Sequence, residues 1–225
     1  MSILSRLPAL HVLRFTALIG LYQKHAPLTG PDGIKMPRNA VATRKKILRA
    51  AYRLLYRRGF ARVSMDDIAE AAAITKRSVY YHFESKDDLV AAVLKEQQEH
   101  ALAMFEAWGL LTASSPGAFL SNLFIQLRRW AESPQWQGSG YTRLTMELAD
   151  LPGHPARKAA HKHKHAVEEW LAAKLASLGA RNSKRLAREA VLLAEGCVTL
   201  ILIHNDPSYA SAAGVAAKRL ADNWS

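Results

Sequence analysis

A single cysteine, Cys197, stands in 225 residues. It has no partner for a disulfide within the chain, and no thiolate cluster can hold a structural metal. This scarcity fits a reducing cytoplasm. Cys197 lies in the apolar run "VLLAEGCVTLILI" and reads as a small buried hydrophobe. Hairpin signals are missing too: the Asp32-Gly33 pair sits in a stretch rich in Pro and Gly, not between alternating strands. No fixed-period repeat runs along the chain, which excludes stacked-repeat architectures. There is no Gly-x-Ser-x-Gly elbow, no Gly-rich phosphate loop and no His-Glu-x-x-His pair. An enzyme such as a hydrolase is therefore the weaker alternative, and no catalytic residue is assigned. The apolar opening "ILSRLPALHVLRFTALIGLY" is broken by Pro8, His11, Arg14 and Thr16. It is too short and too polar to span a bilayer, and no small-residue cleavage site follows.

Acidic residues are scarce, and where they are scarce matters. Lys plus Arg number 31 against 19 Asp plus Glu, a net charge of +12. Residues 35–86 hold 13 of the bases and 4 of the acids, a net of +9, whereas residues 87–225 hold 15 and 14. About three quarters of the excess thus sits in one 52-residue block. That is the footprint of a polyanion-binding module beside a nearly neutral domain; a solubilising surface is the plainer alternative. The apolar share of 49% is enough for a packed core.

Residues 1–38 read as an amino-terminal extension and linker, ending in "KHAPLTGPDGIKMPRN". Two readings stand for it. Translation begins at Met36, just before a well-formed helical pattern, and the extension is not native; or residues 1–35 are an accessory arm. A third function class, a basic membrane-surface protein, would use residues 3–22 as an amphipathic anchor.

Beyond the linker, helical spacing dominates. Ile47, Leu48, Ala51, Leu54 and Leu55 share one face of a first helix, with Arg57 and Arg58 in its last turn and Gly59 as its stop. Ser64-Met65-Asp66-Asp67 is a capping box opening a second helix, whose Ile68, Ala69 and Ala72 point inward. After a break at Ala73-Ile74-Thr75, Thr75 caps a third helix from Lys76 to about His82. Ser85, with Asp88 three residues on, starts a longer fourth helix. Two short helices joined by a tight turn inside a basic unit describe a helix-turn-helix. Its second helix opens with Lys76 and Arg77, with no carboxylate nearby in sequence, and either cation can donate to guanine O6 and N7. Ser78 can meet a base edge or a phosphate. Val79 and Phe83, four apart, face the core. Tyr80, Tyr81 and His82 present rings toward the sugar-phosphate walls. Lys86 starts the fourth helix, where the helix dipole prefers an anion, so a phosphate between Lys86 and the free amides would explain it.

Residues 43–89, "TRKKILRAAYRLLYRRGFARVSMDDIAEAAAITKRSVYYHFESKDDL", carry start, turn, aromatic run and "F-x-S-K-x-x-L" ending in order. This stretch resembles the amino-terminal domain of the TetR (tetracycline repressor) family of bacterial transcriptional regulators. The resemblance implies an all-α homodimer: a three-helix DNA-binding domain at residues 39–86, then a larger helical ligand-binding and dimerisation domain at 87–225. It implies a repressor that leaves a palindromic operator when a small-molecule inducer binds; a constitutive DNA-binding dimer without ligand is the alternative. The family's DNA contacts carry over to Lys76, Arg77, Ser78, Tyr80, Tyr81, His82 and Lys86, with Ser64 on a phosphate. Two positions depart from the pattern. Ala73 stands where the family often has glycine in the turn, and a positive φ there would cost an alanine about 1 kcal/mol. Arg77 stands where a small residue is common.

The remaining chain reads as six more helices, about 87–106, 116–130, 140–149, 155–178, 183–204 and 208–220, punctuated by prolines. The segment "LAREAVLLAEGCVTLILI" must be covered on more than one face. In the family the last two long helices pair with a partner's, so the seam of the homodimer is expected there. Phe105, Trp108, Phe119, Phe124, Trp130, Tyr141, Met146 and Trp170 are candidates to line a cavity for an apolar or aromatic ligand, against the plainer reading that most are core. Arg143 and Glu147, four apart, suit either a surface pair or a polar ligand. His154, His161, His163 and His165 raise the question of a metal. The cations Arg157, Lys158, Lys162 and Lys164 crowd them and no acid precedes Glu168, so a solvated basic face is expected. No metal, cofactor or membrane partner is assigned, and the expected location is the cytoplasm.

Overall fold

The computed structural model describes residues 38–109, 113–134 and 136–223. Of the extension and linker assigned to residues 1–38, only Arg38 is described, as the first residue of α1; the alternative start and the anchor at 3–22 lie outside the described residues. The described residues form α-helices and connecting turns with no strand: α1 Arg38–Arg58, α2 Met65–Ala71, α3 Lys76–His82, α4 Lys86–Gly109, α5 Pro116–Ala131, α6 Gly140–Glu147, α7 Pro155–Ser177, α8 Ser183–His204 and α9 Ser208–Asn223. Contacts divide the chain between Lys46 and Ile47. Of the first unit only the opening turns of α1 are described, where Thr43 Oγ1 donates to Asn39 O at 2.9 Å.

From Ile47 onward, three apolar clusters organise the second unit. The first joins Ile47, Leu48 and Ala51 of α1 to Val63, Ile68 and Ala69 around α2, Val79 and Phe83 around α3, and Leu89 and Val93 of α4. The second takes the neighbouring face of α4, Val90 and Leu94, against Tyr141, Leu144 and Leu148 of the α6 region and Ala156 and Ala160 of α7. The third and largest packs α5 against α8 and α9 with the end of α4 and of α7. On α9 its inward residues are small: Ala210, Ala213, Gly214, Ala217 and Ala221. Small side chains let helix axes approach. A Cβ on Gly214 would lie 2.9 Å from Phe124 Cβ, so this position admits no side chain without moving α5.

The Cys197 reading holds: the thiol is buried and donates to Ala194 O at 3.2 Å, and burial pushes it up to about 12. The expected basic histidine face is half wrong. His161 and His165 are exposed, but His154 and His163 are buried, at 7% and 4% exposure. His154 caps α7, its Nδ1 accepting from Ala156 N at 3.0 Å. His163 lies flat on Tyr141, centroids 3.9 Å apart. His163 is buried from within α7 and His154 as the cap that precedes it, and the flanking lysines hide both placements in the sequence. Among the described residues no group of three or more His, Cys, Asp or Glu is placed to hold a metal, and no helix is long and apolar enough to cross a membrane.

Candidate nucleic-acid interface

The reading helix is built from its caps outward. Ser64 accepts from Asp67 N at 3.1 Å while Asp67 Oδ2 accepts from Ser64 N at 2.8 Å, the reciprocal pair that starts α2. Ser64 Oγ also donates to that carboxylate. These bonds, the Ser64 hydroxyl first, hold the half-buried Asp67 carboxyl below its ordinary pKa. Thr75 Oγ1 accepts from Ser78 N at 3.2 Å and starts α3. Between the two helices Ala73 adopts φ = +47°, the left-handed region that favours glycine.

Once α3 is anchored by Val79 and Phe83, at 0% and 1% exposure, its other faces are set. Arg77 is exposed, Tyr80 is 46% exposed and Tyr81 75%. Ser78 is half-buried with its amide used by the cap. The structure places two residues differently from the sequence reading. Lys76, expected to stand clear of carboxylates, is ion-paired to Asp66 at 2.9 Å, and the hydrogen bond and charge of Asp66 raise its ammonium pKa. The acid was missed because it lies ten residues back, on α2, and meets Lys76 only when the turn closes. His82, expected at the sugar-phosphate walls, is 8% exposed, its ring edge-on to Tyr81 at 5.1 Å. It stands three residues after Val79, on the same inward face.

Lys86 also has a local setting that its position alone did not reveal. Its Nζ lies 4.0 Å above the Phe60 ring and donates to Phe60 O at 2.5 Å. Burial lowers its pKa, and Asp87, Glu147 and Asp67 oppose that shift. Lys86 is also one of the residues that line an open groove. That groove is lined by Ser64, Lys76, Tyr80 and Lys86 together with Asp66 and Asp67. Arg77, Tyr81 and His82 are not among its lining residues. The exposed basic and aromatic groups therefore form two neighbouring sets: one around the start of α2, one on the outer face of α3.

In the larger region the candidate cavity residues do not form one set. Phe105 is edge-on to Trp108 at 5.3 Å and tilted against Trp170 at 5.7 Å, and Trp170 meets Phe119 at 6.2 Å. Phe124 and Trp130 belong to the same core, Trp130 edge-on to Trp136 at 5.5 Å. Tyr141 belongs to the second cluster, its hydroxyl donating to Leu94 O at 2.7 Å. Met146 is 63% exposed and joins neither. Beside Tyr141 lies a polar group the sequence did not announce: Lys164 pairs with Glu195, and Glu195 Oε2 accepts from Thr142 Oγ1 at 2.7 Å.

Comparison with known proteins agrees with this architecture. Residues 47–93 match the family model described as bacterial regulatory proteins, tetR family. The regulator TtgR of Pseudomonas putida is 45% identical over 60 residues, 27% of this chain and 29% of that protein. The repressor KstR2 of Mycolicibacterium smegmatis is 30% identical over 116 residues, 52% of this chain and 56% of that protein. The chain thus spans between about a third and about half the length of these curated relatives. A crystal structure of a TetR-type transcriptional regulator from Streptomyces avermitilis is 31% identical, with a TM-score of 0.67, over 80% of this chain and 98% of that one. A TetR-family regulator from Streptomyces coelicolor, 23% identical with a TM-score of 0.71 over 80% and 96%, shares the fold. A likeness that covers nearly the whole of the Streptomyces avermitilis regulator, on the same succession of helices, shows that this chain belongs to the TetR family of helix-turn-helix transcriptional regulators.

Proposed function

We propose that the protein is a cytoplasmic homodimeric repressor. It reads a pseudo-palindromic operator with α3 and leaves that operator when a small molecule binds the larger helical region. The proposed division assigns residues 39–86 to DNA binding and 87–225 to ligand binding and dimerisation, with α4 shared between them. The observation that carries the reading is the outer face of α3. Arg77 and Tyr81 project from a helix whose opposite face is locked into the core by Val79 and Phe83. A two-turn helix reads too few bases alone, so two copies are needed for specificity. Arg77 is assigned to a guanine edge, Tyr80 and Tyr81 to the backbone walls, and Ser64, Lys76 and Lys86 to phosphates around the groove; Ser78 and His82 support α3. The seam is assigned to α8 and α9, where Leu192, Leu200, Leu202, Ile203 and Val215 remain 38–68% exposed in one chain.

Recovery of bound fragments from genomic DNA tests this directly. The expected result is a two-fold symmetric motif upstream of genes whose transcripts rise when the protein is deleted. A motif with no symmetry sinks the dimeric reading, and transcripts that fall on deletion sink repression. A ligand found by thermal shift is expected to release that DNA, with a coupling of typically about 1–3 kcal/mol, and the DNA must weaken the ligand by the same factor. The mutual packing of Phe105, Trp108, Phe119 and Trp170 favours a second reading, an uninduced DNA-binding dimer with a filled core. Its signature is operator binding that no stabilising ligand alters.

A further inference from the structure

The turn between α1 and α2 is held by an acid that lies far away in sequence. Glu147, in the last turn of α6, accepts through Oε2 from Phe60 N at 2.7 Å and from Ala61 N at 3.2 Å. The carboxylate also presses against Gly59, whose φ is +84°; a Cβ there would lie 2.6 Å from Glu147 Oε1. One helical turn earlier, Arg143 donates to Tyr56 O at 2.9 Å and to Gln137 O at 3.2 Å. The Tyr56 hydroxyl accepts from Gln137 N at 2.9 Å. Arg143 and Glu147 therefore form neither a surface pair nor a ligand clamp. They grip one of the last carbonyls of α1 and the amides that follow it.

What this grip controls follows from Phe60. Its amide is held by Glu147 and its carbonyl by Lys86, and its ring supports the Lys86 ammonium. On the ring's edge stands His154, centroids 5.4 Å apart. Ser64 opens α2 only three residues after Ala61. A shift of this turn moves Lys86 and Ser64 together, and both belong to the groove assigned to phosphate. We propose that Glu147 is a positioning residue for DNA binding, fixing the Phe60–Ala61 turn and through it the placement of Lys86 and the start of α2. The inference rests on the DNA-binding reading above. Charge-assisted bonds to backbone amides are among the stronger hydrogen bonds, so one exposed side chain suffices to hold the turn.

The test uses the full chain and the DNA motif that the wild-type protein selects, with affinity measured across a salt series. Glu147→Ala is expected to bind about tenfold more weakly, the loss typical of a charge-assisted bond. Its salt dependence should flatten by up to about one phosphate contact. Glu147→Gln keeps an accepting oxygen at the same reach without the charge and should recover part of the affinity. In a Lys86→Ala background Glu147→Ala should cost little more, because the group it positions is gone. Where the alanine variant does not fold, Glu147→Asp replaces it. It keeps the charge but withdraws the oxygens, and should bind more weakly than Glu147→Gln. Wild-type affinity and salt slope in Glu147→Ala, an undiminished loss without Lys86, or Asp outperforming Gln would each overturn the proposal while leaving DNA binding intact. A wild-type protein that selects no DNA would instead remove the reading on which the proposal stands.

Discussion

Two neighbouring cations on α3 carry different burdens. Lys76 spends its charge on Asp66, whereas Arg77 makes no salt bridge with any described residue. Arg77→Ala should therefore cost roughly 1–3 kcal/mol of operator binding and relax preference at one position per half-site, read by selection from random DNA. Asp66→Ala should do the reverse: it releases Lys76, raises affinity for all sequences alike and steepens the salt dependence by up to about one phosphate. Thermal stability should barely change, since exposed pairs contribute little. A third residue makes a pH prediction. Burial, then the charge of Lys164, pulls His163 down to about 4, with Glu195 opposing. The unfolded chain takes up this proton near pH 6.5 and the folded chain only near 4, so stability is present above that window and is lost as pH falls through it. The loss is on the order of 3 kcal/mol. Unfolding midpoints measured from pH 7 to 4 should fall less steeply in His163→Phe, which keeps the stack on Tyr141. The exposure of Arg77 was legible in the sequence, because Val79 and Phe83 orient the helix. The Asp66 pair and the burial of His82 were not, because each depends on where a second helix arrives.

At the scale of elements, local chemistry wrote most of the boundaries. Ser64, Thr75 and Ser85 each accept from the amide three residues on, at 3.1, 3.2 and 3.0 Å, and Gly59 stops α1 at positive φ. Such signals act within four residues and can be read from spacing alone. What could not be read is Glu147 on the Phe60 turn, since 87 residues separate them and no periodicity links them. Nor does spacing reveal that α9 presents alanine and glycine because Phe124 occupies the room their side chains would take. Two turn residues make opposite predictions. Ala73 sits at φ = +47°, where an alanine is strained and a glycine is not. Ala73→Gly should raise stability by up to roughly 1 kcal/mol, a shift of about 2–4 °C in Tm, at unchanged DNA sequence preference. Gly59→Ala meets both a positive φ and the Glu147 carboxylate, and should cost about 1–3 kcal/mol in the same melting experiment.

For the whole molecule, the proposed seam rests on the exposed apolar residues of α8. Leu192 and Ile203, 68% and 66% exposed in one chain, flank the exposed Gly196 and the partly exposed Leu200 at helical spacing. A carboxylate at an exposed position costs a monomer little but is expensive in a closed seam. Ile203→Asp should thus give folded monomers by light scattering, with normal helicity and lost operator binding; a stable dimer would place the seam elsewhere. Leu200→Asp, half covered already, should also reduce solubility. The all-helical class was legible throughout, from caps, prolines and 3.6-residue spacing. The three-core organisation was not, because α4 gives Leu89 and Val93 to one cluster and Val90 and Leu94 to another. That single helix sets the terms on which relatives can exchange parts. A crossover at Lys86 would transplant a head that has left two of its core residues behind, onto a trunk whose first turns were shaped for another head. Working hybrids should therefore carry the donor's sequence past Val93 on one face of α4 and keep the recipient's Val90 and Leu94 on the other, a mosaic that no single cut can make.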